Sequence, residues 1–215
     1  MKNFSVLRLA VYVTAVSFIF GCQKESLSLP EFTVDDAAQR SNNIIKSPQE
    51  HKLKGEYTAG YYSFVPDMAA GYVMPNPAPG WYPGVATVGH LNLLGKSQAY
   101  VNMYATFGAA GLQGAPAPLN LFFANELNAL GITVPDAVAI ILFDKHGNSI
   151  WARGKGTIPI IPVSETKVTF SIDAEILGGT GKFANATGSF LGEGYFNPQN
   201  TNDVGLEVSN GIIVY

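Results

Sequence analysis

Residues 167–177 alternate without a break. Val168, Phe170, Ile172, Ala174 and Ile176 stand between Lys167, Thr169, Ser171, Asp173 and Glu175. A period of two over that length puts every apolar side chain on one face of an extended strand and every polar one on the other. A helix would spread the same residues around its circumference. The segment is therefore a strand with one dry and one wet face, and the dry face must be covered by further strands. Residues 98–107 repeat the pattern, with Ala99, Val101, Met103, Ala105 and Phe107 against Gln98, Tyr100, Asn102, Tyr104 and Thr106. Ala137 to Phe143 is continuously apolar, as a strand covered on both faces would be.

Eight such segments are predicted, at about 55–64, 84–93, 97–107, 137–144, 149–158, 167–177, 186–196 and 206–215. Asp144-Lys145-His146-Gly147-Asn148 reads as the hairpin turn between the fourth and fifth. Composition agrees: 23 Gly, 13 Pro and 12% aromatic residues make a turn-rich chain, and only 13% of residues are charged. The expected class is all-β, an eight-stranded antiparallel barrel with long loops. Two insertions stand out. Residues 65–83 carry five prolines with Tyr72, Trp81 and Tyr82, and residues 108–136 end in Leu121–Leu130. The second is compatible with a short helix that has Asn120 as N-cap and Gly131 as its stop. Both read as ordered flaps because they are rich in apolar side chains.

The first 22 residues read as an address. Lys2 and Arg8 precede an apolar stretch that ends in Ile19-Phe20-Gly21-Cys22, and the run after Arg8 is too short for a membrane-spanning helix. The ending resembles a bacterial lipobox, which implies cleavage before Cys22 and acylation of its thiol. Cys22 is the only cysteine in the 215 residues, so after acylation no thiol is left for a disulfide, a nucleophile or a metal. The division expected is a signal peptide over 1–21, a lipidated Cys22 with a polar tether over 22–52, and the barrel over 53–215. Gln23 instead of Asp after the cysteine points away from inner-membrane retention. The expected location is the bacterial envelope, lipid-anchored in the outer membrane. Without Lys2 and Arg8, 11 basic residues face 16 acidic ones, a balance of −5 that would keep the domain off anionic lipid except through its anchor. No basic surplus exists for nucleic acid.

The chemical motifs are few. Gly178-Gly179-Thr180-Gly181-Lys182-Phe183 has the look of a phosphate loop, but the residues after it read as strand, so no helix dipole would face an anion. The glycines instead suit a tight hairpin that folds Phe183 back onto the core. Gly89 and Gly95-Lys96-Ser97 miss the Walker spacing and run into a strand. His51, His90 and His146 have no metal spacing, so no metal or cofactor is expected. No Gly-x-Ser-x-Gly elbow is present. Asp173 and Glu175 share a strand face and read as an ordinary wet surface. His90 is expected on a strand facing the barrel interior.

The stretch from Gly178 to Gly188 resembles the Gly-Gly-Thr-Gly-Lys/Arg-Phe-x-x-Ala-x-Gly signature of the allene oxide cyclase/dirigent superfamily. His90 to Lys96, Gly147-Asn148 ahead of Arg153-Gly154-Lys155-Gly156, and the closing Gly211 to Tyr215 extend the resemblance over about 84–215. It implies a calycin-like barrel, with Gly178, Gly179, Thr180, Gly181 and Phe183 as the structural turn. The family's chemistry does not carry over, because its acid and base residues find no counterparts here.

Three functions compete. The first is a ligand-binding envelope lipoprotein whose barrel takes a small apolar or sugar ligand, with Tyr61, Tyr62, Tyr72, Trp81, Tyr82, His90 and Tyr104 as lining. The second is an envelope assembly module without a small ligand. The third is an isomerase or cyclase that uses His90 or Glu193 with tyrosine hydroxyls. A packed interior would favour the second, and a cavity holding a buried acid or histidine the third. The partners expected are the bilayer, through the acylated cysteine, and that ligand. Oligomeric state is not legible in the sequence.

Overall fold

The computed structural model describes residues 47–66, 80–108 and 111–215. The strands are β1 (Glu50–Pro66), β2 (Gly80–Leu91), β3 (Gly95–Val101), β4 (Met103–Gly108), β5 (Gly111–Pro116), β6 (Ile140–Asp144), β7 (Ser149–Gly154), β8 (Ile158–Ser164), β9 (Lys167–Thr180), β10 (Thr187–Asn197) and β11 (Asn200–Val214). One helix, α1 (Asn120–Ala129), lies between β5 and β6.

Antiparallel pairing runs β1-β11-β10-β9-β7-β6-β3-β2, and β2 pairs back onto β1, closing an eight-stranded barrel. The other three strands make a second circuit at the opposite end, because β2 also pairs β4, β4 pairs β5, β5 pairs β8 and β8 pairs β9. β3 and β4 are thus one stave broken at Asn102, and β7 and β8 one stave broken at 155–157. β5 and β8 correct the expected strand list: β5 falls inside the expected 108–136 insertion, and β8 opens where the fifth expected strand ends. β5 carries two Gly and a Pro and β8 two Pro, which hides their alternation.

The alternation sorts side chains as the pleat requires. Val168, Phe170, Ile172, Ala174 and Ile176 are all buried in the interior, with Leu53, Tyr57, Leu142, Ile150, Phe190 and Leu206 from the other strands. The interior is filled by side chains, which an eight-stranded barrel is just wide enough to allow. Among the few polar groups inside, the Tyr57 hydroxyl lies 3.1 Å from Ser97 Oγ, and Ser97 Oγ donates to the Gly95 carbonyl at 3.2 Å.

The outer wall has two characters. Over β2, β3, β6 and β7 it is covered. Ala86, Tyr100 and Ile141 are register partners that face outward and pack against Phe123 and Leu127 of α1 and against Val134 and Val138. This cover makes β6 apolar on both faces, as its continuous apolar run requires. Asn120 is the first helical residue and Leu119 the N-cap, so Asn120 does not cap the helix, and its amide donates to Val134 O at 3.1 Å. Gly131 ends the helix at φ +68°, with its N–H on Asn128 O and the Ile132 N–H on Leu127 O. Over β9, β10, β11 and β1 the outward positions are mostly Glu, Asp, Ser, Thr and Lys, with Tyr61, Leu177 and Ile212 exposed among them. Apolar inside and polar outside is the reverse of a lipid-spanning barrel, and among the described residues no helix is long and apolar enough to cross a membrane.

One barrel end is closed by two turns. Asp144 accepts from the backbone of His146 at 2.7 Å and of Asn148 at 3.0 Å, and from the Asn148 amide at 2.8 Å. Burial raises the Asp144 pKa, but these hydrogen bonds and the nearby His146 outweigh it and hold the carboxyl below its ordinary value. Beside it, Gly178 (φ +138°) and Gly181 (φ +59°) turn the chain, Thr180 Oγ1 donates to Gly147 O at 2.7 Å, and Phe183 is fully buried.

Candidate functional site

The sequence-derived lining residues occupy different sides of the wall. Tyr62 faces inward, its ring 4.7 Å from that of Phe196. Tyr61 is 38% exposed on the outer wall, where burial and the charge of Glu126 raise its pKa. Tyr104 is buried outside the barrel with Ala117 and Phe122. Tyr72, and the side chains of Trp81 and Tyr82, lie outside the described residues, as does Cys22. His90 is exposed on the outer wall and does not face the interior, because the β2 register points Leu91 inward and His90 out.

What the register does assemble is a row on the outside. His90 of β2 stands opposite Glu56 of β1, Glu56 opposite Glu207 of β11, Glu207 opposite Glu193 of β10, and Glu193 opposite Ser171 of β9. Three carboxylates therefore sit in successive register positions of three adjacent strands. Like charges directly opposite one another destabilise a sheet. Among the described residues, none of the three has an ion pair or a side-chain hydrogen bond. The one ion pair among those residues joins Lys155 to Asp173 at 3.4 Å, on the open surface.

The row floors a groove of about 570 Å³, walled by Thr169, Tyr195, Lys167 and Ile161. Tyr195 lies over Gly205, where a side chain would meet its ring at 2.5 Å, and Lys167 Nζ stands 5.2 Å from the ring centre. Burial, then the charge and hydrogen bond of Asp203, raise the Tyr195 pKa. Toward β2 the groove continues past Glu56 and Glu207 to His90, Asn92 and Asn210. Its inventory is carboxylates, hydroxyls, one aromatic edge, the Lys167 ammonium and the apolar Ile161. Chemically that suits the hydroxyls of a polyol or the amines of a cationic partner.

The sequence singles out His90 and Glu193 as acid/base candidates with tyrosine hydroxyls. They do share this row, but two strands stand between them, and the buried hydroxyl of Tyr57 lies on the other side of the wall. Glu56, Glu207, Ser171 and Thr169 carry no mark of a site in the sequence, since no spacing connects them. The signal available is the wet face of each strand. Among the described residues no His, Cys, Asp and Glu cluster could hold a metal. Comparison of the chain with protein-family models, with curated proteins and with solved structures found no match.

Proposed function

We propose that this chain is an envelope-tethered binding module that meets its ligand on the outer wall of the barrel, and that the ligand is a glycan. The groove with its row of three carboxylates carries this reading over a module without a ligand, and with Tyr57, Phe170, Phe190 and Leu206 occupying the lumen, a ligand is left only the outside. The groove over β1, β11, β10 and β9 supports the ligand class. Paired carboxylate oxygens accept from neighbouring sugar hydroxyls, and such charge-assisted bonds are stronger than neutral ones. The resemblance of Gly178–Gly188 to the allene oxide cyclase/dirigent signature supports a calycin-like origin for the fold and lends no activity. The acylated Cys22 is the proposed anchor, holding the barrel at the outer membrane.

Two experiments test the reading. Glu193→Gln and Glu207→Gln should abolish retention on the glycan that the wild type selects from an immobilised panel. Each should also stabilise the fold by about 0.2–1 kcal/mol, because a like-charge contact is removed. Selection of no glycan, or retention unchanged in both variants, defeats the assignment. Cys22→Ser should abolish incorporation of a labelled fatty acid and release the chain from membranes, and unchanged labelling would remove the anchor.

A further inference from the structure

A second cavity, of about 510 Å³, opens on the outer wall where β2 and β6 end and β3 begins, at the barrel end closed by the Asp144 and Gly178 turns. Its floor is a register row of Val88, Gln98 and Phe143. Its rim is Lys96, two residues before Gln98, with Lys145 and His146 from the turn after β6. Val88 is 40% exposed, which leaves an apolar patch at the bottom of the cavity.

The lysines on the rim can only donate. Among the described residues, neither the Lys96 nor the Lys145 ammonium has an ion pair or hydrogen bond. The Tyr100 hydroxyl donates to Gln98 Oε1 at 3.5 Å, which leaves the amide nitrogen as the free end of that side chain. The nearest carboxylate, Asp144, is occupied by the three hydrogen bonds of its own turn. Of the other acids, Glu56 lies beyond His90 on β1, and Glu126 of α1 is near Tyr100. A chain with more acidic than basic residues thus collects two lysines and a histidine around an apolar floor.

We propose that this cavity binds the phosphate of a phosphate ester whose apolar body lies on Val88 and Phe143. Lys96 and Lys145 hold the oxyanion, and Gln98 donates at the boundary between head and body. No helix follows Ser97, so the charges come from side chains and not from a nucleotide loop. The same chemistry is offered by a soluble alkyl phosphate and by the headgroup of an anionic phospholipid. β1, the first described strand, begins at this end of the barrel. The lipid source rests on the proposed anchor, and the soluble source does not. Neither depends on the acidic groove.

The test is amine footprinting of the full chain by mass spectrometry, with Lys167, at the other end of β9, as internal reference. The arms are hexyl phosphate, inorganic phosphate, and vesicles of phosphatidylglycerol or phosphatidylcholine. Hexyl phosphate should slow acetylation of Lys96 and Lys145 several-fold relative to Lys167, and inorganic phosphate should do so less. Protection by phosphatidylglycerol but not phosphatidylcholine, without protection by hexyl phosphate, assigns the site to membrane lipid. Protection by hexyl phosphate alone assigns it to a soluble ester. The pair Lys96→Gln and Lys145→Gln should weaken hexyl phosphate or phosphatidylglycerol binding, whichever protects, by about tenfold or more. Equal acetylation in every arm, protection by inorganic phosphate as strong as protection by hexyl phosphate, or full binding by the double variant would each overturn the proposal.

Discussion

Replacing Phe183 by alanine should cost the fold about 3–5 kcal/mol, the range for a phenylalanine lost from a core that cannot collapse. Phe183 ends a single 3-10 turn, Gly181–Phe183, between β9 and β10, and its ring has no exposure. It meets the Tyr215 ring edge-on, with centres 4.7 Å apart. The backbone around it cannot close over the gap. A side chain on Gly179 would collide with the Ser149 carbonyl and come within 3.0 Å of Phe183 Cβ. Thr180 is tied to Gly147 O and to Ser149 Oγ at 2.8 Å, and the Lys182 N–H to Asn148 Oδ1 at 3.3 Å. Urea unfolding should show a lower midpoint with an unchanged slope, the mark of a stability change within the same fold. A loss under about 1 kcal/mol would mean that this end relaxes, contrary to the pinned backbone.

Raising the pH from about 10 to about 12 should remove about 2–3 kcal/mol of stability through Tyr57 alone. Burial pushes the Tyr57 hydroxyl up to about 12, and the Ser97 hydrogen bond draws it back only partly. In the unfolded chain the same hydroxyl ionises near 10. Between those values the unfolded state gives up a proton that the folded state keeps, so stability is fully present below pH 10 and falls as pH rises. Burial shifts Tyr62 and Tyr100 in the same direction, Tyr100 with help from Tyr61 and Glu126. The share of Tyr57 is therefore read as the difference between wild type and Tyr57→Phe. In that variant Ser97 still donates to Gly95 O, so no buried hydroxyl is stranded. The alkaline limb of the wild type should be steeper, and parallel limbs would show that Tyr57 ionises freely in the folded state.

The alternation at 167–177 is enough to assign the dry and wet faces of β9, because side-chain direction in a strand is set by parity alone. The same parity marks Glu193 as outward and Phe190 as inward without reference to any partner strand. The turns at 144–148 and 178–183 are legible because positive φ and side-chain-to-backbone bonds leave a local signature in Gly, Asn and Asp. Parity does not give register. Which glutamate faces which depends on the irregularities of β1 between Leu53 and Gly55 and of β10 between Ser189 and Leu191, each of which shifts the pairing with β11. The expectation of an inward His90 fails because β2 carries apolar residues at both parities: Leu91 points inward, and Val88, of the same parity as His90, points out. The split staves at Asn102 and at 155–157 depend on the pairings of β2 with β4 and of β5 with β8, which join segments separated in sequence. The acidic groove and the lysine-rimmed cavity are products of closure. Each gathers residues from three or more strands, and only the closed barrel sets their distances.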